Sequence, residues 1–136
     1  MCKALRLAGA AAMLGSSIFF MAEARAIELT GAWAGHADLC SQVFTKKDGR
    51  VVYAEFSELF GSGFIIDGDR IMGRSGTCTI KSRKQEGDSL ELSAACASTI
   101  MTQDVRLSLK IIDDNTISRS FAEISGMTLN YTRCKF

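Results

Sequence analysis

The chain has no proline, one histidine and one tryptophan. Without proline, its turns must rest on glycine, asparagine and aspartate, which reach positive φ or hydrogen-bond their own backbone. Charge excess is missing too. Lys3, Arg6, Arg25 and Glu23 lie in the first 26 residues, so of 16 basic and 15 acidic residues 13 and 14 remain beyond them, a net −1. That balance argues against a phosphate-neutralising face for nucleic acid and against electrostatic attachment to an anionic membrane. The one long apolar run, residues 7–22, falls short of the roughly 20 residues needed to span a bilayer. No Cys-x-x-Cys occurs, which argues against a zinc site and a thioredoxin-type redox role. Gly61-Ser62-Gly63 is not the Gly-x-Ser-x-Gly of a nucleophile elbow. No window beyond residue 26 carries a helical apolar stripe; only 56–60 and 97–102 suggest a helical turn.

The beginning of the chain is the clearest signal. Lys3 and Arg6 precede the apolar run, which ends in Ala24-Arg25-Ala26. Charge, apolar run and small-x-small site in that order make a secretory signal peptide, and its short length favours removal over retention as an anchor. The expected organisation is therefore a leader over 1–26 and one β domain over 27–136, exported to the periplasm or beyond. Cys2 leaves with the leader, and Cys40, Cys78, Cys96 and Cys134 reach an oxidising compartment where thiols pair.

Turn signals at Asp48-Gly49, Asp67-Gly68, Glu86-Gly87-Asp88 and Asp113-Asp114-Asn115 separate short alternating runs. They predict antiparallel strands over 28–34, 41–46, 51–56, 63–66, 70–74, 77–84, 89–96, 104–112, 116–121 and 128–134. Centring a hairpin on Gly87 sets Ile80 against Ala94, Ser82 against Leu92, Arg83 against Glu91 and Cys78 against Cys96. Opposed cysteines lie within disulfide reach, so Cys78 is expected to pair with Cys96, leaving Cys40 to Cys134. A second hairpin centred on Asp114 sets Ile111 against Ile117, Leu109 against Arg119 and Leu107 against Phe121. Arg119 thereby lands on the apolar face, where it needs a carboxylate, water or a ligand. The other turns align Phe44 with Tyr53 and Phe64 with Ile71. The expected fold is all-β: a small antiparallel up-and-down barrel, or a barrel-like sandwich, of about eight to ten short strands with two disulfides.

Gly31-Ala32-Trp33 in the first strand and Arg133 in the last resemble the Gly-x-Trp and late arginine of the calycins, the group of lipocalins and avidins. The resemblance implies that Arg133 packs over Trp33 at a closed barrel end, a sound cation–indole pairing. Gly61-Ser62-Gly63-Phe64-Ile65-Ile66, Cys78 to Lys84 and Tyr131-Thr132-Arg133-Cys134 are similar to stretches of small exported alphaproteobacterial proteins with no assigned activity. That likeness covers most of the domain and implies no function.

His36, near Asp38, is read as part of a polar loop rather than half of a catalytic pair, and no catalytic residue is assigned. The carboxylate pairs at Asp67 and Asp69 and at Asp113 and Asp114 read as turn residues. Lys81, Arg83 and Lys84 read as a solvated strand face that discourages edge pairing. Trp33, Phe64, Arg119, Tyr131 and Arg133 are the candidate ligand-binding residues, with no cofactor and no metal expected. The function expected is non-enzymatic binding by a monomer, of a small apolar or anionic molecule inside the barrel. The alternative is a periplasmic inhibitor acting on a partner protein through loops 45–50 or 97–103.

Overall fold

A computed structural model describes residues 26–136, so the expected leader lies almost wholly outside the described residues. The strands are β1 (Gly31–Ala34), β2 (Phe44–Lys47), β3 (Arg50–Tyr53), β4 (Gly63–Asp67), β5 (Arg70–Met72), β6 (Gly76–Glu86), β7 (Ser89–Ser98), β8 (Thr102–Asp113), β9 (Thr116–Ser120) and β10 (Thr128–Arg133). Eight of them close an antiparallel barrel in the order β1, β10, β9, β8, β7, β6, β5, β4. Closure leaves no edge strand in that sheet, although the first six residues of β8 extend beyond β9, and barrel rather than sandwich is the outcome.

Alternation along each strand decides what faces inward. Trp33, Ile66, Ile80, Leu90, Leu92, Leu109, Ile117 and Tyr131 meet inside as the main core. The outer wall is wet, with Lys81, Glu91, Arg106 and Lys110 exposed. β1 is the exception, since both its faces are covered. Ala32 and Ala34 point outward into a second core with Val43, Phe44, Ile65 and Cys134.

That second core is made by the long connection between β1 and β4. Residues 41–46 do not form one strand: a 3-10 turn (Ala37–Leu39) runs into the short helix α1 (Cys40–Val43) before β2. α1 and the β2–β3 hairpin lie against the outer wall, so the strand expectation fails where the chain must turn back over the barrel. The hairpin itself follows its sequence: Asp48 and Gly49 both have positive φ, and Phe44 faces Tyr53 with ring centroids 5.3 Å apart. Gly63 makes the close approach possible. A Cβ there would lie 2.9 Å from the Phe44 ring and 2.9 Å from the Trp33 carbonyl oxygen. Residues 57–60 form the expected helical turn, as a 3-10 helix, whereas no helix forms over 97–102: Ala97 and Ser98 end β7, residues 99–101 bend, and Thr102 begins β8.

Both predicted disulfides form, Cys78–Cys96 across β6 and β7 and Cys40–Cys134 between α1 and the residue after β10. The register of β6 and β7 departs from expectation near the turn. The loop is the two residues Gly87-Asp88, so Lys84 faces Glu91, Arg83 faces Leu92 and Ser82 faces Ser93. A bulge between Ile80 and Ser82 absorbs the extra residue and restores Ile80 to Ala94 and Cys78 to Cys96. Arg83, expected to face Glu91 on the outer wall, instead donates to the Gly68 carbonyl at 2.9 Å and lies 3.7 Å from Asp69.

At the β4–β5 turn Gly68, with positive φ, takes the first of the two loop positions. Ile66 rather than Phe64 therefore faces Ile71. The slip is two residues, so every side chain keeps its expected face. In the β8–β9 pair Ile111 meets Ile117 and Leu109 meets Arg119, but β9 ends at Ser120 and Phe121 is unpaired.

Candidate functional site

The two barrel ends differ. At one end lie residues 26–30, the turns at Gly68-Asp69, Gly87-Asp88 and Asp114-Asn115, and the end of β10. Arg133 closes it. Its guanidinium carbon stands 4.4 Å from the centre of the Trp33 ring. Its nitrogens donate to the carbonyls of Glu28, Thr30 and Asp114, the last at 3.1 Å. Gly31, at φ +143°, leaves the strand bare where the arginine crosses, since a Cβ would sit 3.3 Å from Nη1. Beneath it Trp33 is fully buried, and its indole N–H donates to the Leu29 carbonyl at 2.9 Å. Trp33 and Arg133, both expected to bind ligand, thus form a plug that is internally satisfied.

The opposite end is open. A cavity of about 580 Å³ enters the barrel there, lined in its apolar part by Phe64, Ile71, Val105, Leu107 and Leu109 and by the Cys78–Cys96 disulfide. Arg119 and Tyr131 also line it. Of the five candidate residues, then, the fold brings Phe64, Arg119 and Tyr131 together and sends Trp33 and Arg133 to the far end. Val105, Leu107 and Leu109 were legible as an inward face, but nothing local marked the disulfide as cavity wall.

Arg119 is half-buried among apolar neighbours, facing Leu109 on β8 and Leu129 on β10. Its guanidinium carbon lies 4.5 Å from the centre of the Phe121 ring. Among the described residues it has no carboxylate partner and no side-chain hydrogen bond. Tyr131 is 4% exposed and packs edge-on against Phe64, with ring centroids 4.9 Å apart. Its hydroxyl likewise has no protein partner among the described residues, although no fully enclosed side-chain oxygen or nitrogen is left unpaired.

Loops around the opening carry apolar tips: Phe56 and Leu59 before β4, Ile100 and Met101 between β7 and β8, and Ile124 and Met127 between β9 and β10. Ile100 is 89% exposed. The connection before β4 is pinned by Arg74, which donates to the Ser57 hydroxyl at 2.9 Å and to the Gly61 carbonyl at 2.7 Å. Tyr53 secures the outer hairpin to the same rim, its hydroxyl lying 3.0 Å from the Gly63 carbonyl and 2.9 Å from that of Met72.

Comparison with protein-family models, curated proteins and solved structures finds no match. The site must therefore be read from its own chemistry. His36 is exposed ahead of the 3-10 turn and makes no side-chain hydrogen bond there. Asp113 accepts from the Asn115 N–H at 2.8 Å, the local turn bond expected of it. Among the described residues no group of three His, Cys, Asp or Glu side chains could hold a metal ion, and no helix is long and apolar enough to cross a membrane. The two disulfides fit an oxidising compartment outside the cytoplasm.

Proposed function

We propose that this is an exported, monomeric, non-enzymatic binding protein that holds a small apolar or anionic ligand inside its barrel. The observation that carries the reading is the open cavity of about 580 Å³. Its size falls within the roughly 300–1,000 Å³ of small-molecule sites, and a solidly packed eight-stranded barrel would have no such space. Arg119 and Tyr131, without side-chain partners among the described residues, stand on a mostly apolar wall that also carries Ser62, Ser75, Ser98 and Gln103, the usual composition of such a site. The plug of Gly31, Trp33 and Arg133 at the other end supports the calycin resemblance, which is where a ligand-holding barrel would be expected. The leader-like first 26 residues and the two disulfides support export.

The test is binding of the neutral fluorophore N-phenyl-1-naphthylamine to the disulfide-bonded protein. Enhanced, saturable emission is expected, and Leu107→Trp, which fills the cavity, should weaken it about tenfold or more. Absence of saturable binding, or equal binding by a correctly folded Leu107→Trp, refutes the reading.

One observation favours a second reading, an inhibitor or partner-binding protein. Ile100 and Met101 project from the loop within 97–103, with Ile100 89% exposed. Secreted proteases and lysozymes assayed as a panel should then lose activity with the wild type and keep it with Ile100→Asp. A panel left fully active removes this reading.

A further inference from the structure

We infer that the cavity selects a single-chain amphiphile with a carboxylate head, held by Arg119 and Tyr131 with its tail directed to the open end. The inference rests on the binding reading above and narrows it to a ligand class.

Two independent features meet in one place. The first is a half-buried cation on the wall of a mostly apolar cavity. Arg119 sits on β9 opposite Leu109 and Leu129, and both neighbours on its face are leucines. A guanidinium in such surroundings is costly unless a counter-charge reaches it, and among the described residues none does. Stacking on Phe121 at 4.5 Å holds the group in position but supplies no anion.

The second is the hydroxyl of a nearly buried tyrosine, which has no protein partner among the described residues and opens on the cavity. Tyr131 faces Ile117 on β9, and Arg119 is two positions further along that strand. Both residues line the cavity, so they are diagonal neighbours on its wall, at a β-carbon spacing of roughly 7–8 Å. A carboxylate placed between two such long side chains can accept from both: two N–H bonds from the guanidinium fork on its oxygens and one O–H bond from the phenol.

Charge count decides the head group. The cavity wall offers a single cation and no acidic side chain. One carboxylate neutralises it, whereas a phosphate with nearly two charges would leave about one negative charge uncompensated against a mostly apolar wall. A quaternary ammonium head would meet like charge. A neutral alcohol would leave Arg119 unpaired.

The register fixes the direction of the tail. From Leu109 toward the mouth, β8 presents Leu107, Val105 and Gln103, facing Leu92, Ala94 and Cys96 of β7. This track passes the Cys78–Cys96 disulfide and ends at Met101 in the rim. In the other direction Leu90, Ile117 and Trp33 are buried, and Arg133 lies across Trp33 at that end. The head therefore enters first.

Displacement of bound N-phenyl-1-naphthylamine tests this with the disulfide-bonded protein. Dodecanoate is expected to compete about ten- to a hundredfold more strongly than dodecan-1-ol, and also more strongly than dodecyl phosphate and dodecyltrimethylammonium. Arg119→Gln should bring the displacement constants of acid and alcohol to within about threefold of each other on that variant. Tyr131→Phe should weaken the acid about three- to tenfold relative to the alcohol. Equal displacement by acid and alcohol on the wild type overturns the head-group inference and leaves the cavity reading intact. Preference for the phosphate overturns it as well. Failure of the fluorophore to bind sinks both. The comparison of ligands on the wild type decides the matter even if a variant does not fold.

Discussion

Removing the disulfides one at a time should reveal very unequal contributions. Cys40 and Cys134 are 94 residues apart, Cys78 and Cys96 only 18. Loop-closure entropy in the unfolded chain then gives about 4.7 kcal/mol for the first and about 3.2 kcal/mol for the second, a gap of about 1.5 kcal/mol. Packing acts in the same direction. Cys134 is buried and Cys40 half-buried in the core between α1 and the outer wall, so truncation there leaves a hole. Cys78 and Cys96 already border the open cavity, where a truncated side chain removes fewer contacts. The assay is urea denaturation of Cys40→Ala/Cys134→Ala and Cys78→Ala/Cys96→Ala, followed by circular dichroism. With a urea m-value of roughly 1.5 kcal/mol/M the midpoints should differ by about 1 M or more, the Cys40–Cys134 deletion unfolding first. Because a domain of this size holds only about 5–15 kcal/mol, that variant can be unfolded without urea, which preserves the order. Equal midpoints, or a less stable Cys78→Ala/Cys96→Ala, refute the reasoning.

Two further outcomes are expected from the outer hairpin. Gly63→Ala forces a methyl to within 2.9 Å of the Phe44 ring and the Trp33 carbonyl, and should cost about 1–3 kcal/mol in the same denaturation assay; a neutral result means the hairpin does not pack there. Tyr53→Phe should cost about 1 kcal/mol at neutral pH through the lost bonds to the Gly63 and Met72 carbonyls. Burial of Tyr53 raises its pKa above the usual 10.0, against an opposing pull from Arg74. Its contribution is therefore complete below pH 10 and is lost as pH climbs through the raised value in the folded state. Wild type should lose more stability than Tyr53→Phe between neutral pH and this alkaline range, and parallel losses in the two proteins contradict the assignment.

Much of the fold was legible because alternation and turn chemistry are local. The period of two in Val105, Leu107, Leu109 and Ile111 marked an inward face. The hairpin around Gly87 brought Cys78 to Cys96, since a bulge cancelled the error in the assumed turn. Slips of two residues, as at Gly68, cost nothing in facing. The helix at Cys40–Val43 was not legible, because four residues are too few to show a period and the turn they make is imposed by packing on the outer wall. Trp33 and Arg133 were correctly placed together, but their position at the end away from the cavity was not legible, because alternation says which face a side chain takes and not which end of the barrel it serves.

By itself the sequence determined most of the strands, the direction of most of their side chains and the pairing of the four cysteines, each of which depends on residues near in the chain or on elimination. Closure of the barrel was decided only by the tertiary structure, through β1 joining β4 and β10 across long stretches of chain. So was the split between a plugged end and an open cavity, because both depend on curvature and strand tilt that no local pattern encodes.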